Sequence, residues 1–317
     1  MNEHSASRKV PGGAVHLSDW GVIRASGPDA RTFLHSQLTQ DVQSLPAGTA
    51  TLAGYCSAKG RLLATFIVWS EAADEVLLAC SADLLPATLR RLSMFVLRAK
   101  CKLSDASGQV LLWGLAGAEA DAFLGPARPT HDWQTATAAN GLAIRLPSAR
   151  IEATLMSRYL FAAPNGDDIA AVVPLDPGAW CSLEVHSGVA RVVAATVEQF
   201  VPQMLNLELV GGVSFSKGCY PGQEIVARSQ YRGTLKRRAF VVEGSESIAP
   251  GLEIFHSSDP GQPAGMVVLS GSWGDGRHPA LVELKLSSLD VGELHAGSPA
   301  GSALQLRDLP YAIPANA

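Results

Sequence analysis

Cysteine is scarce in this chain and scattered. There are five, Cys56, Cys80, Cys101, Cys181 and Cys219, among 317 residues. An odd number at wide spacing offers no disulfide framework and fits thiols kept reduced, as in a cytoplasm. Long apolar runs are missing too. The longest clean one, "LLATFIVW", is far too short to cross a bilayer, and the opening "MNEHSASRKVPGGAV" has no apolar stretch of the kind a secretory signal needs. The expected setting is therefore cytoplasmic, with no membrane partner. The eight histidines form no H-x-x-x-H pair, and the thiols converge nowhere in sequence as an iron–sulfur site would need. No metal is expected to be held by this protein alone. A strong excess of one charge is also absent: the net charge is −4 and the pI about 6.1. That balance argues against a chain-wide nucleic-acid or membrane-surface role, and direct nucleic-acid binding is not expected.

What is present reads as an ordinary globular protein, 47% hydrophobic and 17% charged, with more residues than one core usually serves. "AVHLSDWGVIRASG" reads as two short strands around an Asp-Trp-Gly turn. "PDARTFLHSQLTQDVQSL" carries Phe33, Leu34, Leu38 and Val42 at helical spacing behind a Ser-Gly-Pro start. "GTATLAGYCSAKGRLLATFIVWS" reads as two strands joined through Ser-Ala-Lys-Gly, "EVLLAC" as another strand, and "ADLLPATLRRLSMFVLRAK" as an amphipathic helix. "QVLLWGLAG" and "AEADAFLG" suggest a second strand–helix unit. Residues 125–150, rich in Ala, Pro and Thr, give no clear assignment. "AWCSLEVHSGVA" and "TVEQFVPQMLNLELV" read as helix and loop. From about residue 237 short alternating segments separated by Gly, Ser and Pro signal a small antiparallel barrel or sandwich. The expected fold class is α+β: a body over 1–235 and an all-β domain over 236–317.

Chemistry concentrates in "SFSKGCYPGQEIVARSQYRG" (214–233). Tyr220-Pro221-Gly222-Gln223 is a turn with a mechanism, proline presetting φ at the second position and glycine accepting the positive φ that a type II turn demands at the third. "GQEIVAR" then starts a helix, with Glu224 in the first turn where the macrodipole favours a carboxylate. Cys219 would sit just before this turn, near free backbone N–H groups and two residues after Lys217, and both features favour a thiolate. The alternative is a cysteine that acts as a small buried hydrophobe. Downstream, Arg228, Arg232, Lys236, Arg237 and Arg238 form a run with no acid among them, either a solvated face or a small-anion site.

These residues carry a family resemblance. "KGCYPGQEIVARSQYRG" and "NLELVGGVSFSKG" resemble the signature of the YgfZ family of folate-binding proteins, relatives of the aminomethyltransferase (T-protein) of the glycine cleavage system. "FLHSQLTQDVQSLPAGTATLAGYCSAKGRLLATF", "LEVHSGVARVVAATVEQFVPQMLNLEL", "AGMVVLSGSWGDGRHPALVEL" and the terminal "LPYAI" extend the similarity over nearly the whole chain. The resemblance implies an aminomethyltransferase-like body of two interleaved subdomains and a C-terminal β-barrel, set as a ring around a hole that holds tetrahydrofolate. It implies partners among iron–sulfur enzymes or their assembly factors, including the enzyme that methylthiolates tRNA. Cys219 takes the place of the family's cysteine, as reactive thiol or shared cluster ligand, with Lys217 beside it and the thiol facing the folate cavity. The folate-binding residues it implies are Glu184, Tyr220, Gly222, Gln223, Glu224, Arg228, Cys56 and Lys59.

Two departures from the aminomethyltransferase stand out. Its paired aspartates are replaced in "SAKGRLLAT" by Ala64 and Thr65, neither of which holds a charge at neutral pH. Its Arg-x-Glu becomes Ser182-Leu183-Glu184, so the arginine is missing while Glu184 keeps a carboxylate for a pterin edge. The expected function is therefore an accessory protein for the synthesis or repair of iron–sulfur enzymes. The rivals are a folate-dependent one-carbon transferase acting on an amine and a scaffold with a vestigial folate site.

Overall fold

The computed structural model describes residues 10–164, 168–231, 235–289 and 291–314. In chain order the first part holds β1 (Gly13–His16), β2 (Trp20–Ser26), α1 (Ala30–Gln37), β3 (Ala50–Cys56), β4 (Leu62–Ala72), β5 (Glu75–Ser81), α2 (Leu85–Ser93) and β6 (Lys102–Asp105). It continues with β7 (Leu111–Ala116), α3 (Gly117–Leu124), β8 (Thr135–Ala138), β9 (Gly141–Ile151), β10 (Thr154–Ala163), α4 (Pro177–His186) and α5 (Gln223–Tyr231). These strands build two five-stranded antiparallel sheets, ordered β3-β4-β5-β2-β6 and β1-β7-β10-β9-β8. The first strand of the chain thus lies at the edge of the second sheet, so the two units interleave.

The last part, β11 (Arg237–Gly244), β12 (Glu253–His256), β13 (Gly265–Ser270), β14 (His278–Lys285), β15 (Leu294–Ala296) and β16 (Ala303–Arg307), closes into a barrel. Closure removes the exposed edges that such short alternating strands would otherwise present. Its interior is filled by Val242, Ile254, Val267, Val282 and Leu284. The α+β class, with a small antiparallel barrel at the C-terminal end, is what the sequence pattern indicated.

The two sheets face one another. Ile67, Trp69, Leu77 and Ala79 of the first share one apolar cluster with Leu112, Ile144, Leu146 and Leu160 of the second. Trp180 and Leu183 of α4 complete it. That helix starts at Asp176, whose side chain accepts the Ala179 N–H at 3.1 Å, with Pro177 at the first helical position. It is buried on nearly all sides, as a helix enclosed by sheets and barrel must be. Gly114 on β7 is the clearance for Trp180, since a Cβ there would lie 2.6 Å from the indole.

Two local differences from the sequence pattern have physical causes. The helical spacing through Val42 ends early, at Gln37, because Leu38 is extended and Thr39 is captured elsewhere. The Thr39 hydroxyl accepts from Gly54 N at 2.7 Å and donates to the Gly212 carbonyl at 2.6 Å. Within 125–150 a hairpin, β8–β9, turns on Ala139 and Asn140, both at positive φ. That is the geometry of a two-residue type I′ turn.

Candidate functional site

The Tyr220–Gln223 segment is the turn its sequence specifies. The Gln223 N–H donates to the Tyr220 carbonyl at 3.2 Å and Gly222 has φ +81°, the value of a type II turn's third residue. The turn is pressed against a second one, the Ser57–Gly60 link between β3 and β4. A Cβ at Gly222 would lie 2.4 Å from the Ser57 carbonyl oxygen, so glycine is demanded both by φ and by contact. Helix α5 starts at Gln223, as read, and carries Glu224 in its first turn and Arg228 near its end, both exposed.

Lys217 is buried and committed. Its Nζ donates to the carbonyls of His35 and Leu38 (the latter at 2.6 Å) and lies 4.9 Å from the centre of the Tyr220 ring. These are carbonyls at the C-terminal end of α1, where an ammonium satisfies orphan acceptors and complements the dipole. Burial holds its pKa down at about 8, against the opposing pull of Asp41 and Cys219. The lysine therefore clamps the motif to α1, and a Cβ on Gly218 would lie 3.6 Å from His35 Nε2.

The thiols separate cleanly. Cys219 is exposed, beside Lys217 and the turn. Cys56, expected among the folate-binding residues, is instead the last residue of β3 and lies in the core. Burial pushes its thiol up to about 12. Lys59 is exposed at the tip of the turn that Gly222 presses on, and Tyr220 is buried, its hydroxyl raised by burial and by Cys56.

Glu184 sits elsewhere, in a cavity between the two sheets. Trp20, Leu52, Thr65, Phe66, Ile67 and Trp133 form its aromatic and aliphatic walls, and Arg158 shares it. Trp133 has φ +65°, a costly conformation for so bulky a residue and one that clusters at binding sites. Arg191 Nη2 donates to Glu184 Oε2 at 3.2 Å and to Asp19 Oδ2 at 2.8 Å, and its guanidinium lies 4.7 Å over the Trp20 ring. Glu184 thus has an arginine partner at position 191 and none at position 182. Position 182 has no room for one: Ser182 is fully buried, and a Cβ on Gly271 would lie 2.3 Å from its nitrogen.

Comparison with known proteins gives this arrangement a family. The family model of the GCVT N-terminal domain matches residues 1–163. The tRNA-modifying protein YgfZ of Edwardsiella ictaluri (strain 93-146) is 34% identical over 262 residues, 77% of this chain and 75% of that protein. The tRNA-modifying protein YgfZ of Serratia proteamaculans (strain 568) is 30% identical over 320 residues, 98% of this chain and 95% of its own length. The chain belongs to the YgfZ family. A crystal structure of the glycine cleavage system aminomethyltransferase T from Bartonella henselae shares the fold, with TM-score 0.74, 18% identity, and coverage of 94% of this chain and 86% of that one.

Within this YgfZ-family chain the proposed site residues fall in two places. Tyr220, Gly222, Gln223, Glu224, Arg228, Cys219 and Lys217 belong to the turn and helix docked on α1 and on the Lys59 turn. Glu184 lies in the cavity, and Cys219 is not among the residues lining it. Thr65, in the place of an aspartate, does line it, while Ala64 points into the opposite core. The Thr65 hydroxyl accepts the Val192 N–H at 3.0 Å. The basic run is dissolved by the fold. Arg237 grips Glu283 at 3.0 and 2.8 Å, and Arg238 is buried against Glu208. Arg228 and Lys236 are exposed, and Arg232 lies outside the described residues. Sequence reasoning missed Arg158, Arg191, Trp20 and Trp133. The pairing of Glu184 with Arg191, seven positions on, was the one local signal available.

Proposed function

We propose that this chain binds tetrahydrofolate in the cavity at Glu184 and serves, in the cytoplasm, the synthesis or repair of iron–sulfur enzymes, among them those that methylthiolate tRNA. The observation that carries the reading is a buried carboxylate set among aromatic walls in a protein whose relatives are tRNA-modifying proteins. The residues fit the ligand. A carboxylate matches the paired N–H donors of a pterin, Trp20, Trp133 and Phe66 offer flat apolar surfaces, and Trp20 Nε1 is a buried donor with no partner among the described residues. When bound, tetrahydrofolate supplies a carrier for a one-carbon fragment. The chain's own part is to hold the pterin at Glu184, to exclude water with the two tryptophans, and to present the Cys219 thiol at the surface to a client protein. Thr65 has no ionised oxygen to take a proton at neutral pH, which speaks against aminomethyl transfer and for an accessory role.

The test is the level of methylthiolated tRNA in a bacterial strain deleted for its own family member. The strain is complemented with this protein, with Cys219→Ala or with Glu184→Gln. Restoration by the wild type alone is expected. Full restoration by Cys219→Ala would remove the thiol from the function, and failure of the wild type despite good expression would remove the client.

A further inference from the structure

The cavity at Glu184 contains a second charged group that has no counter-charge in contact. Arg158 is 3% exposed. Its Nε and Nη2 donate to a single acceptor, the Pro147 carbonyl, at 3.2 and 3.1 Å. A bulge where β9 meets β10, between the partners of Met156 and Arg158, brings that carbonyl to the guanidinium. Among the described residues no carboxylate reaches Arg158 at ion-pair distance. Glu184 and Asp132 act on it through space only, and Glu184 is already engaged by Arg191. The guanidinium rests 5.5 Å over the Trp180 ring. Burial lowers its pKa to about 10, so it stays charged at neutral pH.

A buried cation without a contact partner is expensive to keep, and this one lines a cavity. A guanidinium has five N–H donors and no acceptor, whereas an ionised carboxylate accepts only. Two are used on Pro147, leaving donors for a ligand. Arg158 and Glu184 together therefore ask for a ligand edge with an acceptor beside donors. The 4-oxo edge of a folate has that order: O4 accepts, while N3–H and the 2-amino group donate. A 4-amino pteridine would turn a donor towards the cation.

We propose that Arg158 is a specificity-determining residue of this cavity, reading the 4-oxo group while Glu184 reads the donors beside it. The inference rests on the folate reading above. Folic acid and its 4-amino analogue aminopterin differ at C4 and in the N3–H that only the 4-oxo ring carries, so calorimetric titration of the full chain with each, in wild type and in Arg158→Met, separates the Arg158 contact from the one at Glu184. Wild type should bind folic acid at least tenfold tighter, since buried donors left facing a donor are costly. Arg158→Met should shrink that ratio about tenfold or reverse it, because a ring protonated at N1 then meets Glu184 with no cation opposite. If the Met variant does not fold, Arg158→Lys, which keeps charge but loses the fork, should narrow the ratio several-fold. Equal binding of both ligands by wild type, or an unchanged ratio in a folded variant, would overturn the role of Arg158. Binding of neither ligand, nor of tetrahydrofolate titrated in the same way, by wild type would overturn the folate reading itself.

Discussion

Arg191 holds Glu184 from seven residues downstream, one guanidinium nitrogen serving both Glu184 Oε2 at 3.2 Å and Asp19 Oδ2 at 2.8 Å. Burial works against the Arg191 charge, and the two carboxylates more than offset it, raising its pKa. Glu184 itself is 7% exposed. Removing one partner of a buried pair leaves the other charge uncompensated. Arg191→Met is expected to destabilise the protein by about 3 kcal/mol, and Glu184→Gln, which leaves no stranded carboxylate, by less. Urea unfolding checks both. A cost below about 1 kcal/mol for Arg191→Met would show that water already solvates Glu184.

The docked turns make a second prediction. Gly222→Ala places a methyl against the Ser57 carbonyl in a backbone conformation that resists side chains. The expected loss is about 2 kcal/mol or more. Pro221→Ala, which alters only the entropy of the unfolded chain, should cost about 0.5–1 kcal/mol. Calorimetric melting of the two variants separates them, and equal effects would mean that the two turns do not press on one another.

Thiol reactivity follows burial. Cys56 and Cys80 are in the core and Cys181 is largely covered, and burial pushes all three thiols up to about 12. Cys101 is half-buried and also raised. Cys219 alone is exposed. Brief treatment with iodoacetamide at pH 7.5 should therefore give one adduct per native chain by mass spectrometry and none in Cys219→Ala. Denaturant should expose all five cysteines. Rapid labelling of Cys56 in the native protein would contradict its place in the core.

Much of this was legible in the sequence, and what was not has identifiable causes. The turn at Pro221-Gly222 and the start of α5 are written in residue types whose backbone preferences are local. The barrel strands alternate because one face is buried. The cavity is different. Trp20, Thr65, Trp133, Arg158, Glu184 and Arg191 come from five separate stretches, and only the pairing of two sheets brings them together. Nothing local marks Arg158 as a buried cation. The β8–β9 hairpin is a miss of another kind, because its turn residues are Ala139 and Asn140, one position ahead of the Asn-Gly pair that signals such a turn, in a stretch rich in Ala, Pro and Thr. Lys217 shows the limit of proximity in sequence: two residues from the thiol, its ammonium is nonetheless spent on the end of α1.

His186, the last residue of α4, gives a prediction with a sign. Burial is the main cause lowering its pKa, to about 4. Arg277 and Arg307 lower it further, while Glu243 and the Arg150 backbone oppose them. Its ring lies 5.8 Å from that of Trp273. The unfolded chain's histidine titrates near the ordinary 6.5, so between pH 6.5 and 4 the unfolded state binds more protons than the folded one. Stability contributed here is therefore complete above pH 6.5 and falls as the pH drops, by about 2.5 kcal/mol on reaching pH 4.5. Glu208 and Glu283, whose carboxyls burial raises, push the opposite way, so the measurement must be a difference. Urea unfolding at pH 7.5 and 4.5 should show wild type losing more stability than His186→Phe, which keeps a ring against Trp273 but has no proton to gain. Parallel losses in the two proteins would place the acid sensitivity on other groups.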